Sequence, residues 1–139
     1  TVATHDANLW EPFIDRGFSP DSGATWLLPR LAGVTRAKRM LLLGEKVTGI
    51  DAADWGLIYD AFPEDDLASV AEDLLSRLAS GPTVAIGLAK QAINFGHGAS
   101  LPESMAHELS GLELSSRTAD FREGLAAFRA RRAPDFQGR

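Results

Sequence analysis

Phe18-Ser19-Pro20-Asp21-Ser22-Gly23-Ala24-Thr25-Trp26-Leu27-Leu28-Pro29-Arg30-Leu31 brings a carboxylate, a turn, a helix start and an aromatic-aliphatic run into one short stretch. Pro20 fixes its own φ, and Asp21 can accept a bond from an early helix N–H, so Asp21 or Ser22 reads as an N-cap. Gly23 lets another group approach the backbone closely, and Trp26, Leu27 and Leu31 recur at helical spacing. A carboxylate at the head of an apolar helix can be a cap, or it can be an acid/base whose surroundings exclude water. On pattern alone both roles stay open.

Outward from that stretch, residues 1–21 are short apolar pieces broken by Asn8, Pro12, Gly17 and Pro20, which predicts a strand end and extended connections. A first helix is expected over 22–32 with Gly33 as its stop, and a second over 35–43 with Thr35 as cap and Gly44 as terminator. One or two helical turns over 51–55 end at Gly56. A short strand over 57–62, rich in β-formers, ends at Pro63.

Beyond Pro63 the pattern is helical. Glu64, Asp65 and Asp66 place negative charge at a helix start, and Leu67, Val70, Ala71, Leu74, Leu75 and Leu78 recur at helical spacing. Gly81-Pro82 opens a further helix in which Ala85, Ala89 and Ala92 form a thin face for close packing. Gly96-His97-Gly98 closes it. Ser100 with Glu103, and Asp120 with Glu123, have the spacing of capping boxes. The chain therefore reads as α+β, with an irregular part over 1–62 and a helical part over 63–139.

The 139 residues are enough for one domain with a real core, and 45% hydrophobic with 24% charged residues is an ordinary globular composition. A formal charge of -5 argues against a nucleic-acid partner, since no face gathers the Lys and Arg needed to neutralise many phosphates. Cysteine is absent, which excludes disulfides and a thiolate nucleophile and is compatible with a cytoplasmic setting. No apolar run is long enough to span a bilayer, so no membrane partner is expected. The start lacks an initiator Met and a signal peptide and reads as the end of a strand, so an N-terminal portion is expected to precede it.

The other candidate sites have bland explanations. His5, His97 and His107 do not pair at metal-ligand spacing, and no metal is expected. Asp51, Asp54 and the Glu64-Asp65-Asp66 group sit at helix starts, where capping accounts for them. Ser110, Ser115 and Ser116 lack a nearby His-acid pattern. Arg129, Arg131 and Arg132 suit a helix C-terminus, or could hold a phosphate.

Taken together and in order, several phrases resemble the C-terminal half of the crotonase superfamily, the enoyl-CoA hydratase/isomerase family. They are Gly17-Phe18-Ser19-Pro20-Asp21-Ser22-Gly23, Leu28-Pro29-Arg30-Leu31-Ala32-Gly33, Ala52-Ala53-Asp54-Trp55-Gly56-Leu57-Ile58, Lys90-Gln91-Ala92-Ile93 and Asp120-Phe121-Arg122-Glu123-Gly124-Leu125-Ala126-Ala127-Phe128. The resemblance implies a ClpP/crotonase-like fold of which this chain is mainly the α-helical C-terminal part. Residues 1–62 would be the end of the spiral core with an active-site helix, and 63–139 a helical oligomerisation region.

It further implies an acyl-CoA substrate, no cofactor beyond the coenzyme A of the substrate thioester, and assembly into homotrimers or hexamers. The family's other half would supply the two N–H groups that hold the thioester oxygen as an enolate forms, so the chain alone is expected to be inactive. Hydratases of the family carry a glutamate four residues before the glycine matching Gly17; Phe13 stands there, and Glu11 is out of register for that role. In the branch with Pro-Asp-x-Gly, which includes the ring-epoxide isomerases of bacterial phenylacetate breakdown and related enoyl-CoA isomerases, an aspartate at the position of Asp21 serves as acid/base.

The implied function is isomerisation of a double bond or ring epoxide, with Asp21 moving a proton and with Phe13, Phe18, Pro20 and Trp26 lining a dry pocket. Phe128 and Arg131 match positions that contact coenzyme A from a neighbouring subunit. Two alternatives remain: an enoyl-CoA hydratase, and a non-catalytic fragment whose helices only assemble.

Overall fold

The computed structural model describes all 139 residues, Thr1–Arg139, and divides them into two compact units, Thr1–Ala71 and Glu72–Arg139. The division falls within a long helix, α4 (Glu64–Ala79), whose three leading acidic residues complement its positive end.

In the first unit, β1 (Val2–Thr4) pairs in parallel with β4 (Asp60–Phe62), Val2 opposite Asp60. β2 (Asn8–Leu9) pairs antiparallel with β3 (Val47–Thr48), Leu9 opposite Val47. The strand expected over 57–62 is shortened to its last three residues. Leu57 N–H bonds back to Ala52 O at 2.9 Å, continuing the turn after α3 (Gly49–Asp54), so pairing begins only once the chain runs alongside β1. The extended connection expected before residue 21 contains a 3₁₀ turn, Ile14–Arg16, closed by Gly17 at φ 76°.

α1 (Ala24–Ala32) packs on α2 (Val34–Leu43). Met40, Val47 and Ala52 form the buried centre, with Leu9, Leu28, Trp55, Leu57 and Ile58 packed around it. α3 begins where expected in kind, with a better cap than its own aspartates: Thr48 Oγ1 accepts from Asp51 N–H at 3.1 Å while donating to Asp51 Oδ2 at 2.9 Å. Gly49 is required sterically. A Cβ there would lie 1.9 Å from the Thr4 carbonyl oxygen, because the start of α3 is pressed against the end of β1.

Two caps expected from sequence are not formed. α1 starts at Ala24, not Ser22, and its N-cap is Gly23 at φ 82°, ψ 7°. Ser22 also has a positive φ, 53°, and Ala24 N–H donates to Asp21 O at 3.0 Å. That makes residues 21–24 a turn of the mirror-image type I′ sense, in which Asp21 contributes its backbone carbonyl and not its carboxylate. Likewise α2 begins at Val34 after Gly33, so Thr35 lies inside the helix and caps nothing.

In the second unit, α5 (Thr83–Gly96) packs on α6 (Leu101–Ser116). The thin face reads as expected: Ala85, Ala89 and Ala92 meet the stretch of α6 around Gly111, where an added Cβ would lie 3.9 Å from Leu88 Cβ. Glu103 accepts from Ser100 N–H at 2.7 Å and from its hydroxyl at 2.6 Å, a capping arrangement at the predicted spacing.

α7 (Ala119–Ala130) corrects the second predicted box. Its cap is Thr118, whose Oγ1 accepts from Phe121 N–H at 3.0 Å. Asp120 and Glu123 instead hold the C-terminal tail. Asp120, 3% exposed, accepts from the N–H groups of Gln137 at 2.7 Å and Gly138 at 2.8 Å. Glu123 pairs with Arg132 through two bonds, 2.6 and 2.9 Å, and accepts Asp135 N–H at 2.9 Å.

Candidate functional site

Phe13 and Asp21, of the sequence-derived candidates, line one open hollow of about 390 Å³ in the first unit. That volume lies within the range of small-molecule sites. Most of its wall is apolar: Leu9, Trp10, Phe13, Ala24, Leu27, Leu28, Leu31, Met40 and Leu57. The polar groups set into it are Glu11, Asp21 and Ser22. Local structure explains how each arrives. The left-handed pair Ser22-Gly23 turns the chain sharply into α1 and leaves the Asp21 side chain at the rim.

On the opposite strand, Trp10 Nε1 donates to Gly44 O at 2.9 Å, which pins the chain after β2. From there Leu9, Trp10 and Glu11 reach the hollow in succession, and the turn at 12–13 adds Phe13.

Asp21 carries the chemistry the hollow can offer. Its Oδ1 accepts the Ser22 hydroxyl at 2.7 Å, and its carboxylate takes no bond from the N-terminus of α1. A carboxylate used as a helix cap is committed to a backbone N–H of the first turn. This one has a single neutral hydroxyl donor and keeps lone pairs for another partner. Glu11 is half-buried beside it. Desolvation first, and then the negative charge of Asp21, push the Glu11 carboxyl above the usual carboxylate range, so it holds a proton more firmly than an exposed glutamate.

Glu11 is the residue that sequence reasoning set aside. The one signal for it is nearness: Glu11 stands two positions from Phe13, with a turn at 12–13 between the strand and the 3₁₀ helix.

The remaining sequence-derived candidates are distributed as follows. Phe13 lines the hollow. Phe18 packs edge-on against Phe13, ring centroids 5.5 Å apart at 83°, and stands outside the wall, as does Pro20. Trp26 also lies outside it, with the Arg30 guanidinium 3.9 Å over its ring while Arg30 Nη1 donates to Trp26 O.

Phe128 and Arg131 belong to the second unit. Phe128 is 82% exposed near the end of α7, and Arg131 closes that helix in a left-handed conformation, φ 52°. Of the basic cluster, Arg132 is committed to Glu123. His107 stacks on Phe95 with centroids 4.5 Å apart, a packing role. No group of three or more His, Asp or Glu side chains is arranged to hold a metal ion, and no helix is long and apolar enough to cross a membrane.

Comparison with known proteins gives a consistent result. A family profile described as enoyl-CoA hydratase/isomerase matches residues 1–139. The chain is 40% identical over 138 residues to 1,2-epoxyphenylacetyl-CoA isomerase of Escherichia coli, covering 99% of this chain and 53% of that protein. It is 36% identical over 138 residues to 2,3-dehydroadipyl-CoA hydratase of the same organism, covering 99% and 54%. Among solved structures, an enoyl-CoA hydratase subunit from Geobacillus kaustophilus superposes with a TM-score of 0.94 at 31% identity, covering 99% of this chain and 54% of that one. The chain spans about half the length of the curated relatives it matches.

Proposed function

Because the chain belongs to the enoyl-CoA hydratase/isomerase family and has a crotonase fold, of which it forms the mainly helical C-terminal part, we propose that the protein isomerises an acyl-CoA thioester, with Asp21 moving the proton. The thioester carbonyl acidifies the neighbouring α-carbon. The Asp21 carboxylate removes a proton there and returns it elsewhere on the acyl chain, shifting a double bond or opening a ring epoxide. The observation that carries this reading is the carboxylate itself: it lines an apolar hollow together with Phe13, and it is not spent on capping α1.

A proton shuttle works best where water is scarce, and Phe13 and the leucines supply that wall. The 40% identity to an isomerase of an epoxyphenylacetyl-CoA supports the same direction.

Enoyl-CoA hydration is the second reading, favoured by the 36% identity to a 2,3-dehydroadipyl-CoA hydratase. The two separate on the product formed from an enoyl-CoA by the full-length protein. Isomerisation leaves the mass unchanged and moves the unsaturation; a product heavier by one water would overturn the isomerase reading.

The oxyanion-holding N–H groups of the family belong to its other half, so the 139-residue chain by itself is proposed to show no turnover. Assembly into trimers or hexamers is proposed as well. On α6, Leu101, Met105, Leu109 and Leu112 form an exposed apolar stripe suited to a neighbouring copy. Phe128 and Arg131, exposed at the end of α7, are proposed to reach a neighbouring subunit's coenzyme A. A monomeric mass for the full-length protein in solution would exclude both points and leave Asp21 unaffected.

A further inference from the structure

We propose that Glu11 is a second catalytic carboxylate of the Asp21 hollow, the acid that returns a proton to the substrate after Asp21 has removed one. This rests on the isomerase reading, keeps Asp21 as the group that removes the proton, and replaces Asp21 with Glu11 as the group that returns one.

Geometry is the basis. Glu11 and Asp21 are the ionisable side chains in the wall of a single hollow of about 390 Å³, and each comes from a different, independently anchored segment. Glu11 follows the strand fixed by the Trp10–Gly44 bond; Asp21 sits on the turn into α1. Lys46 stands over the Trp10 ring, 4.7 Å from its centroid, and is not in the wall. Apolar side chains, among them Leu27, Leu31, Met40 and Phe13, make up most of the rest of that wall.

Burial, and then the negative charge of Asp21, raise the Glu11 carboxyl above the ordinary range, which favours its acid form. In this proposal Asp21 is the base and Glu11 the acid, the two roles that moving a double bond requires.

The step balances within the pair. For a 3-enoyl-CoA, the α C–H bond breaks and its proton goes to the Asp21 carboxylate. The electron pair runs through the thioester enolate to the γ-carbon, where a new C–H bond forms with the proton of the Glu11 carboxylic acid. Asp21 is then protonated and Glu11 ionised. Asp21 then gives its proton to solvent water and Glu11 takes one from it, which restores the starting state with no net proton consumed. A single shuttling group would carry the substrate's own hydrogen from one carbon to the other. Two groups release it to solvent.

The test uses a 3-enoyl-CoA carrying deuterium at both α positions, turned over in ordinary water by the full-length protein, with product mass read early in the reaction. The wild type is expected to give a 2-enoyl product that has lost one deuterium. Glu11→Gln, of nearly the same size, is expected to turn over more slowly and to yield mostly product that keeps both. Glu11→Asp, which retains a carboxylic acid, is expected to restore the loss of label.

Wild-type product that keeps both deuteriums, or a Glu11→Gln enzyme matching the wild type in rate and label, would overturn the assignment of Glu11 and leave Asp21 standing. Unimpaired isomerisation by Asp21→Asn would instead remove the reading on which it rests.

Discussion

Replacing Asp120 with alanine probes how the end of the chain is tied to α7. In the folded protein this carboxylate is 3% exposed and accepts two main-chain N–H groups, from Gln137 at 2.7 Å and Gly138 at 2.8 Å. A hydrogen bond to a charged group contributes about 1.5–3 kcal/mol, so removing both forfeits about 3–6 kcal/mol gross. The freed donors do not stay buried, because the tail can lift and rehydrate them. Releasing Gln137 and Gly138 also returns roughly 1–2 kcal/mol of backbone entropy each.

The net destabilisation expected for Asp120→Ala is therefore about 1–3 kcal/mol. Asp120→Asn, which keeps one acceptor oxygen, should lose about half as much. Urea denaturation gives the stability, and hydrogen exchange at Gln137 and Gly138 should accelerate in step with it, more than exchange in α5. Had Asp120 acted only as a first-turn acid of α7, the loss would be about 0.3–1 kcal/mol and the tail amides would be unaffected. A change below about 0.5 kcal/mol with unaltered exchange at those two amides would refute the tail-holding role.

Gly49→Ala should destabilise by about 1–3 kcal/mol or prevent folding of the first unit, since the new Cβ would stand 1.9 Å from a backbone oxygen that cannot rotate away; wild-type stability in a denaturant titration would contradict the close approach of α3 to β1. Glu123 is held down to about 2, first by its bonds with Arg132 and then by Asp135 N–H. A depressed acid stabilises the fold above its ordinary value of 4.5 and loses that contribution as pH falls toward 2, so the stability gap between wild type and Glu123→Gln should be full at pH 7 and closed near pH 2 in a melting series. Arg131→Ala should weaken coenzyme A binding by the full-length protein, and the deficit should shrink with added salt; an equal deficit at all salt concentrations would point to lost packing instead of lost charge.

Much of the helical architecture was legible because it depends on local pattern. The apolar period of α4, the alanine face of α5 and the Ser100–Glu103 cap are decided by residues within a turn or two of each other. The errors lie at cap positions. Asp21, Thr35 and Asp120 each have the chemistry of a cap at plausible spacing, but backbone conformation one or two residues away displaced the first two and a distant segment engaged the third. Asp21 yields the helix start to a left-handed Ser22-Gly23 turn, Thr35 to Gly33, and Asp120 to the returning tail.

The site shows the same limit. Phe13 and Asp21 were legible as a pair through family resemblance, whereas Glu11 was discounted because it is out of register with a familiar position. Register matters less here than the path of the chain after β2, which brings Leu9, Trp10, Glu11 and, after a turn, Phe13 to the same hollow. Phe18 and Trp26 are near Asp21 in sequence, yet the turn at 21–24 and the axis of α1 carry their rings away from the hollow.

The central claim is that the Asp21 carboxylate moves the proton. Asp21→Asn tests it with little structural disturbance, because the amide oxygen can still accept the Ser22 hydroxyl and no helix cap is lost. Initial rates of double-bond isomerisation by the full-length protein, wild type against Asp21→Asn, with melting temperatures measured alongside, give the answer directly. Removal of a general base predicts a fall of about 10²–10⁴-fold in kcat at an unchanged melting temperature. A variant that isomerises within a few-fold of the wild type would contradict the account.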